Sequence, residues 1–185
     1  MKKIKMLTVF LLMLAMAFAF AGCGDSGDAG DDSVEISGDG AATGVLSFET
    51  TDLDGNAVNS EELFAGNELT MVNIWGTFCG PCIDEMPELE ELHQKYEKDG
   101  VAIVGLVIDV PEGDDSLLQD AKDIVADTGV TYMSMRAWDG CDSELSVSAV
   151  PMTYFVDREG NIVGEPIVGA DPEGYSAAID DYLNQ

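Results

Sequence analysis

The segment LTMVNIWGTFCGPCIDEMPELEELHQKY, Leu69 to Tyr96, joins an apolar run to an amphipathic stripe across four residues. The run, Leu69–Trp75, scarcely alternates and suits a strand covered on both faces. Over residues 80–98, Ile83, Met86, Leu89, Leu92 and Tyr96 recur at spacings of three and four, the period of a helix with one buried side. A buried strand running straight into a helix leaves few architectures open. VAIVGLVI (Val101 to Ile108) adds a second buried strand, SLLQDAKDIVADTG a helix ended by Gly129, and a short strand is expected near Thr131–Met135. MTYFVD and NIVGEPIVG flank REG as an antiparallel hairpin, and DPEGYSAAIDDYLNQ closes the chain as a helix with Pro172 in its first turn. Ahead of the run, VLSFETTDLDGNAV reads as a hairpin turning at Asp54-Gly55 or Gly55-Asn56, followed by a short helix capped by Ser60. Pro87 is expected to kink the long helix. The sum is an α/β fold: a central mixed sheet with helices on both faces and an added N-terminal β-hairpin.

The compartment decides what two cysteines can do. Lys2, Lys3 and Lys5 precede an almost unbroken apolar run, Met6 to Ala21. Such a run is short of the roughly 20 residues a membrane-spanning helix needs, but suits a secretory signal. It ends in FAGC, which resembles the bacterial lipobox, with Phe20 where that motif usually has Leu; Cys23 would then carry the lipid. The alternative is an ordinary cleaved signal with Cys23 an incidental thiol. Both place the protein outside the cytoplasm, where disulfides persist. GDSGDAGDDSVEISGDGAATG has almost nothing to bury and reads as an acidic Gly/Ser/Asp tether over 23–44. Its Asp-Gly repeats lack the closing Glu of a calcium loop. Residues 45–185 have the length of one domain.

The chain has 8 basic and 36 acidic residues, and three of the basic ones fall in 1–22. The remainder is near −31, which argues against nucleic acid and against a polybasic grip on anionic lipid. Membrane attachment would rest on the lipid.

Cys79 and Cys82 sit at the start of the long helix. Unpaired N–H groups and the macrodipole favour an anion there, which lowers a thiol's pKa and makes it a nucleophile near neutral pH. Cys82, one turn on, is placed to resolve a mixed disulfide. A C-x-x-C next to a strand–helix–strand pattern points to dithiol chemistry.

WGTFCGPC resembles the thioredoxin active-site stretch, with Trp75, Gly80 and Pro81 in matching places and Pro87 at the position of the fold's helix proline. AVPMTYFVDREGNIV resembles the later segment with a cis proline, here Pro151 after Val150. With the front hairpin and Glu85-Met86-Pro87, nearly all of 45–185 is similar to thioredoxin-like, membrane-anchored thiol–disulfide oxidoreductases of the TlpA/ResA type, lipoproteins of the redoxin family. The resemblance implies Cys79 as exposed nucleophile, Cys82 as buried resolving thiol, Pro81 as a setter of potential, and Val150 and Pro151 as the substrate-facing loop. Trp75 would pack beneath the site or be a plain core aromatic. Thioredoxin's buried Asp is replaced by Asn73, so a proton acceptor for Cys82 must be another carboxylate or water. The resemblance implies an acid near the end of the next strand, with Asp109 the nearest candidate and Glu112 the second; the plainer reading of either is a solvated loop residue.

Cys141 is left over, readable as a third redox thiol, an intermolecular partner or a half-buried side chain. His93, at the edge of the long helix, receives no role. A zinc site from Cys79, Cys82, Cys141 and His93 lacks a second C-x-x-C or H-x3-H. A peroxidase of the superfamily would want Pro and Thr where Val72 and Gly76 stand. A non-catalytic binding lipoprotein with a stapling disulfide gains little, because the loop enclosed is tiny. The expectation is a monomeric extracytoplasmic reductase of protein disulfides with no cofactor. The resemblance implies re-reduction by a membrane electron donor of the CcdA/DsbD kind, and apocytochrome c (in cytochrome c maturation) or a methionine sulfoxide reductase as client.

Overall fold

A computed structural model describes residues 35–36 and 42–185. The expected signal segment, Cys23 and most of the expected tether lie outside the described residues. Inside that tether β1 (Glu35–Ile36) pairs antiparallel with β2 (Ala42–Thr43), a short ladder where composition predicts none. The chain then joins the main body: Leu46 N–H donates to the Gly160 carbonyl at 2.8 Å and Ile162 N–H to that of Gly44 at 3.0 Å.

The front hairpin is β3 (Glu49–Thr51) against β4 (Ala57–Asn59). Its connection is longer than a two-residue turn because Asp52 closes it. The Asp52 carboxylate accepts the N–H groups of Asp54 (2.9 Å) and Asn56 (2.8 Å) and the Asn56 side-chain amide (2.7 Å). Gly55 sits there at φ +87°, a left-handed conformation that costs glycine little. Helix α1 (Ser60–Ala65) is capped one residue earlier than expected: Asn59 Oδ1 accepts the Glu62 N–H at 3.2 Å. Ser60 is instead buried, and its Oγ accepts the Phe48 N–H at 2.9 Å.

Next come β5 (Leu69–Trp75), α2 (Gly80–Tyr96), β6 (Val101–Val107), α3 (Asp115–Thr128), β7 (Ser134–Arg136), the one-turn α4 (Cys141–Glu144), β8 (Met152–Asp157), β9 (Ile167–Val168) and α5 (Pro172–Leu183). The central sheet runs β7-β6-β5-β8-β9, with β5, β6 and β7 parallel and β8 and β9 antiparallel to their neighbours. Strand alternation sorts its side chains onto two faces. Leu69, Met71 and Trp75 of β5 join Val101, Ile103 and Val107 of β6 and Phe155 of β8 in a core with α2, α3 and α5. Val72, Ile74, Val104, Leu106, Met152, Tyr154 and Val156 face the other way, onto Phe48 just ahead of β3, Val58 of β4, Phe64 of α1 and Leu145. Asn73 and Thr153 are directly opposed in register and point to the first face.

Two elements differ from expectation for local reasons. β7 begins at Ser134 because Thr131 is turned to α2, its N–H and Oγ1 held by the buried Glu90 carboxylate at 2.7 and 2.8 Å. The arm after Arg158-Glu159-Gly160 meets β8 by a single bridge at Ile162, and pairs again only at Ile167, beyond Gly164 and Pro166; proline offers no ladder donor. Pro87 is exposed within α2, which continues through it as one helix.

Phe64 is 1 % exposed and meets the Phe48 ring edge-on at 5.9 Å, whereas Phe78 is 69 % exposed. Urea unfolding should show Phe64→Ala losing about 3–5 kcal/mol and Phe78→Ala within about 0.5 kcal/mol of the parent.

Candidate active site

The strand-to-helix turn places the two cysteines. Cys79 is the N-cap of α2, at φ −95° and ψ 95°, and its Sγ accepts the Cys82 N–H at 3.3 Å. The two form a disulfide with Cα atoms 5.3 Å apart. The sulfur therefore lies over unpaired amide ends of a helix, where an anion would be stabilised after reduction. Cys79 Sγ is 3.6 Å from the Val150 carbonyl oxygen, and the Val150–Pro151 peptide bond is cis. The structure thus brings Cys79, Cys82, Val150 and Pro151 together across 71 residues of sequence. The expectation of an exposed Cys79 needs correcting: in the disulfide form it is 5 % exposed against 0 % for Cys82. The asymmetry keeps its sense, but the sulfur offers only a sliver of surface.

The other expected residues fall as follows. Trp75, fully buried at the end of β5, belongs to the apolar cluster that holds both cysteines. Pro81 occupies the first turn of α2 and is exposed. A side chain at Gly80 would meet open space, so glycine is not sterically required there. At Gly76 a Cβ would lie 2.6 Å from the Phe78 ring, which is exposed and would have to turn aside. Asp109 is engaged elsewhere than at Cys82: it accepts the Thr77 N–H at 3.0 and 3.1 Å and the Thr77 hydroxyl at 2.5 Å. It fixes the turn leading into Cys79. Glu112 is exposed. Cys141 is free and buried at the first position of α4, and burial, with Asp142 and Glu144 adding, pushes its thiol up to about 12. His93 stacks edge-on with Tyr132 at 6.1 Å. Among the described residues, no three His, Cys, Asp or Glu side chains are grouped to hold a metal.

The carboxyl that sequence reasoning missed is Glu85. It lies three residues after Cys82 on the buried side of α2 and is 3 % exposed. Asn73 Nδ2 donates to Glu85 Oε1 at 3.0 Å and to Thr153 Oγ1 at 3.1 Å, and Tyr175 Oη lies 3.1 Å from Glu85 Oε2. Burial raises its pKa to about 6, against the pull of the Asn73 and Tyr175 bonds, with Glu88 adding to the rise. Glu85 lies one helical turn beyond Cys82 on the same buried side, which makes it the candidate proton acceptor for that thiol, although in the disulfide form its two oxygens are bonded to Asn73 and Tyr175. The signal was available in the spacing, since Cys82, Glu85, Met86 and Leu89 share one helical side.

Comparisons with known proteins agree with this geometry. Residues 42–164 match the AhpC/TSA family. The chain is 31% identical over 137 residues to the thiol-disulfide oxidoreductase ResA of Bacillus thuringiensis, covering 71% of this chain and 74% of that one. It is 29% identical over 153 residues to ResA of Oceanobacillus iheyensis, covering 82% and 74%. Among solved structures, a thioredoxin family thiol:disulfide interchange protein from Chlorobium tepidum aligns with a TM-score of 0.63 at 22% identity, over 75% of this chain and 94% of that one. The fold is thioredoxin-like. The chain belongs to the AhpC/TSA family and is a thiol–disulfide oxidoreductase of the TlpA/ResA type.

The raised Glu85 gives a signed pH effect. Between its ordinary 4.5 and about 6 the folded chain binds more protons than the unfolded one. Stability therefore falls as pH climbs through that window and levels off above it. In the disulfide form, denaturant midpoints from pH 4 to 7 should show this decline, bounded by about 2 kcal/mol, and Glu85→Gln should remove it.

Proposed function

We propose that this AhpC/TSA-family oxidoreductase works outside the cytoplasm as a reductase of protein disulfides, held to the membrane by a lipid on Cys23. The observation that carries the chemistry is the Cys79–Cys82 pair at the N-terminus of α2 beside the cis Val150–Pro151 bond. The Cys79 thiolate attacks one sulfur of a substrate disulfide, forming a mixed disulfide and expelling a substrate thiolate. Cys82 gives its proton to Glu85 and attacks Cys79 Sγ, which restores the enzyme disulfide and releases the second substrate sulfur as a thiolate that takes its proton from water. Two electrons pass from the enzyme dithiol to the substrate. The Val150 backbone would pair with the extended substrate chain, and Pro81 in the dipeptide between the cysteines would help set the potential.

Re-reduction must come from a dithiol or electron carrier reachable from the membrane, as the CcdA/DsbD kind would be; apocytochrome c and methionine sulfoxide reductase are the clients that fit such a place. The export and anchoring reading rests on residues 1–22 and Cys23, with 23–44 as spacer and 45–185 as the working domain. No helix among the described residues is long and apolar enough to cross a membrane. Against peroxide reduction, Gly76 and the buried Val72 of β5 stand where a peroxidatic site would want Thr and Pro.

Cys79→Ser should reduce turnover of a test protein disulfide to background, and Cys82→Ser should accumulate the mixed disulfide on a non-reducing gel. Equilibration with glutathione tests direction: a reductase should poise near thioredoxin's roughly −270 mV, whereas a value near the roughly −120 mV of the oxidant DsbA would reverse the assignment. Cys23→Ser should move the chain from the membrane fraction to the soluble one.

A further inference from the structure

We propose that Tyr175 is a positioning residue that ties the proton on Glu85 to the loop facing the reactive disulfide, its single hydroxyl proton lying on Gly169 when Glu85 is protonated and on Glu85 when Glu85 is ionised. This rests on the reading in which Glu85 serves Cys82.

Tyr175 lies in the first turns of α5, fully buried, with its N–H on the Asp171 carbonyl at 2.9 Å. Its Oη is 2.8 Å from the Gly169 carbonyl oxygen and 3.1 Å from Glu85 Oε2. A phenol has one proton to donate, and a carbonyl has none. Both contacts are hydrogen bonds at once only when the carboxyl supplies the second proton: Glu85 Oε2–H donates to Tyr175, and Tyr175 donates to Gly169. Asn73 settles which oxygen carries that proton, because its Nδ2–H already occupies Oε1 at 3.0 Å. Thr153, whose Oγ1 already accepts from Asn73, also bonds the Tyr175 hydroxyl and can do so as a donor. When Glu85 is ionised, the Gly169 carbonyl and the Glu85 carboxylate are therefore the two acceptors that compete for the one phenolic proton. A bond to a carboxylate is about twice as strong as one to a neutral acceptor, so the hydroxyl turns to Glu85 and leaves the Gly169 carbonyl.

Gly169 leads directly to the disulfide. Its N–H donates to the Pro151 carbonyl at 2.8 Å, its neighbour Val168 pairs with Met152, and the Val150 carbonyl lies 3.6 Å from Cys79 Sγ. When Cys82 passes its proton to Glu85 in the resolving step, the hydroxyl returns to Gly169 and braces the cis-proline loop. When re-reduction returns the proton to Cys82, the brace is released. The groups facing Glu85 are Glu88 from α2, Asn73 from β5, Tyr132 from the segment ahead of β7, and Tyr175 itself, with Thr153 of β8 reached through Asn73. Tyr132 is held protonated by burial, with Glu85 and Glu90 adding, so it stays neutral through the range in which Glu85 titrates.

The test is a carbon-13 NMR titration of the labelled full chain in its disulfide form, following the Glu85 carboxyl and the Gly169 carbonyl. In the parent both should move in one step with a shared midpoint near 6. In Tyr175→Phe the Glu85 carboxyl should still titrate while the Gly169 carbonyl stays flat. In Glu85→Gln, whose amide N–H stands in for the acid proton, Gly169 should stay at its low-pH position throughout. A Gly169 carbonyl that is flat in the parent, or that titrates unchanged in either variant, overturns the proposal. Should Tyr175→Phe not fold, the Glu85→Gln arm decides alone. The acid–base reading fails separately, if Glu85→Gln resolves its mixed disulfide at the parent rate.

Discussion

Everything reactive in this chain is placed by the turn from Gly76 to Cys79, where β5 ends and α2 begins. The turn is braced from two sides: the Cys79 N–H closes onto the Gly76 carbonyl at 3.0 Å, and Asp109 takes both donors of Thr77. A longer or looser connection would let the first sulfur drift off the amide ends of α2. As built, the helix axis, the sulfur and the cis-proline loop share one location, and none of the three is defined without the other two.

The second constraint is polar and lies one layer down. A carboxyl on the buried side of a helix costs several kcal/mol if left without partners, and the chain supplies them from three different elements: Asn73 on β5, Thr153 acting through Asn73 on β8, and Tyr175 on α5. An amide at position 73 is informative in this setting. It cannot take a proton, so it leaves the titration to Glu85 and serves only to orient it. The same contacts join α2 and α5 to the sheet through bonds as well as apolar packing, so the site and the core are not separable parts.

Much of this could be read from residues alone. β5 was legible because a strand covered on both faces hardly alternates, and α2 because its apolar residues keep a helical period. The cis-proline segment was legible because its motif stands in the right order after the cysteines. What stayed hidden was direction. A carboxylate at the end of β6 looked suited to Cys82, yet sequence does not say which way Asp109 points, and it points to Thr77. Glu85 escaped because the stripe was traced through apolar residues alone; by helical spacing it falls between Leu92 and Tyr96, on the side that is buried. Tyr175 was beyond reach, since it meets Glu85 across 90 residues. The cap of α1 falls one residue earlier because Asn59 and Ser60 are both good caps, and only the hydrogen bonds between Ser60 and the Phe48 backbone choose between them.

The buried Cys141 bears on how cleanly the dithiol cycle can run. A thiol pushed up to about 12 is ionised in only about one molecule in 10⁵ at neutral pH, and the thiolate is the species that exchanges. An enzyme that forms covalent adducts with its clients can be derailed by any third sulfur able to compete for them. Here, among the described residues, that competitor is Cys141, buried and held as the unreactive thiol, which leaves Cys82 as the sulfur placed to resolve the adduct.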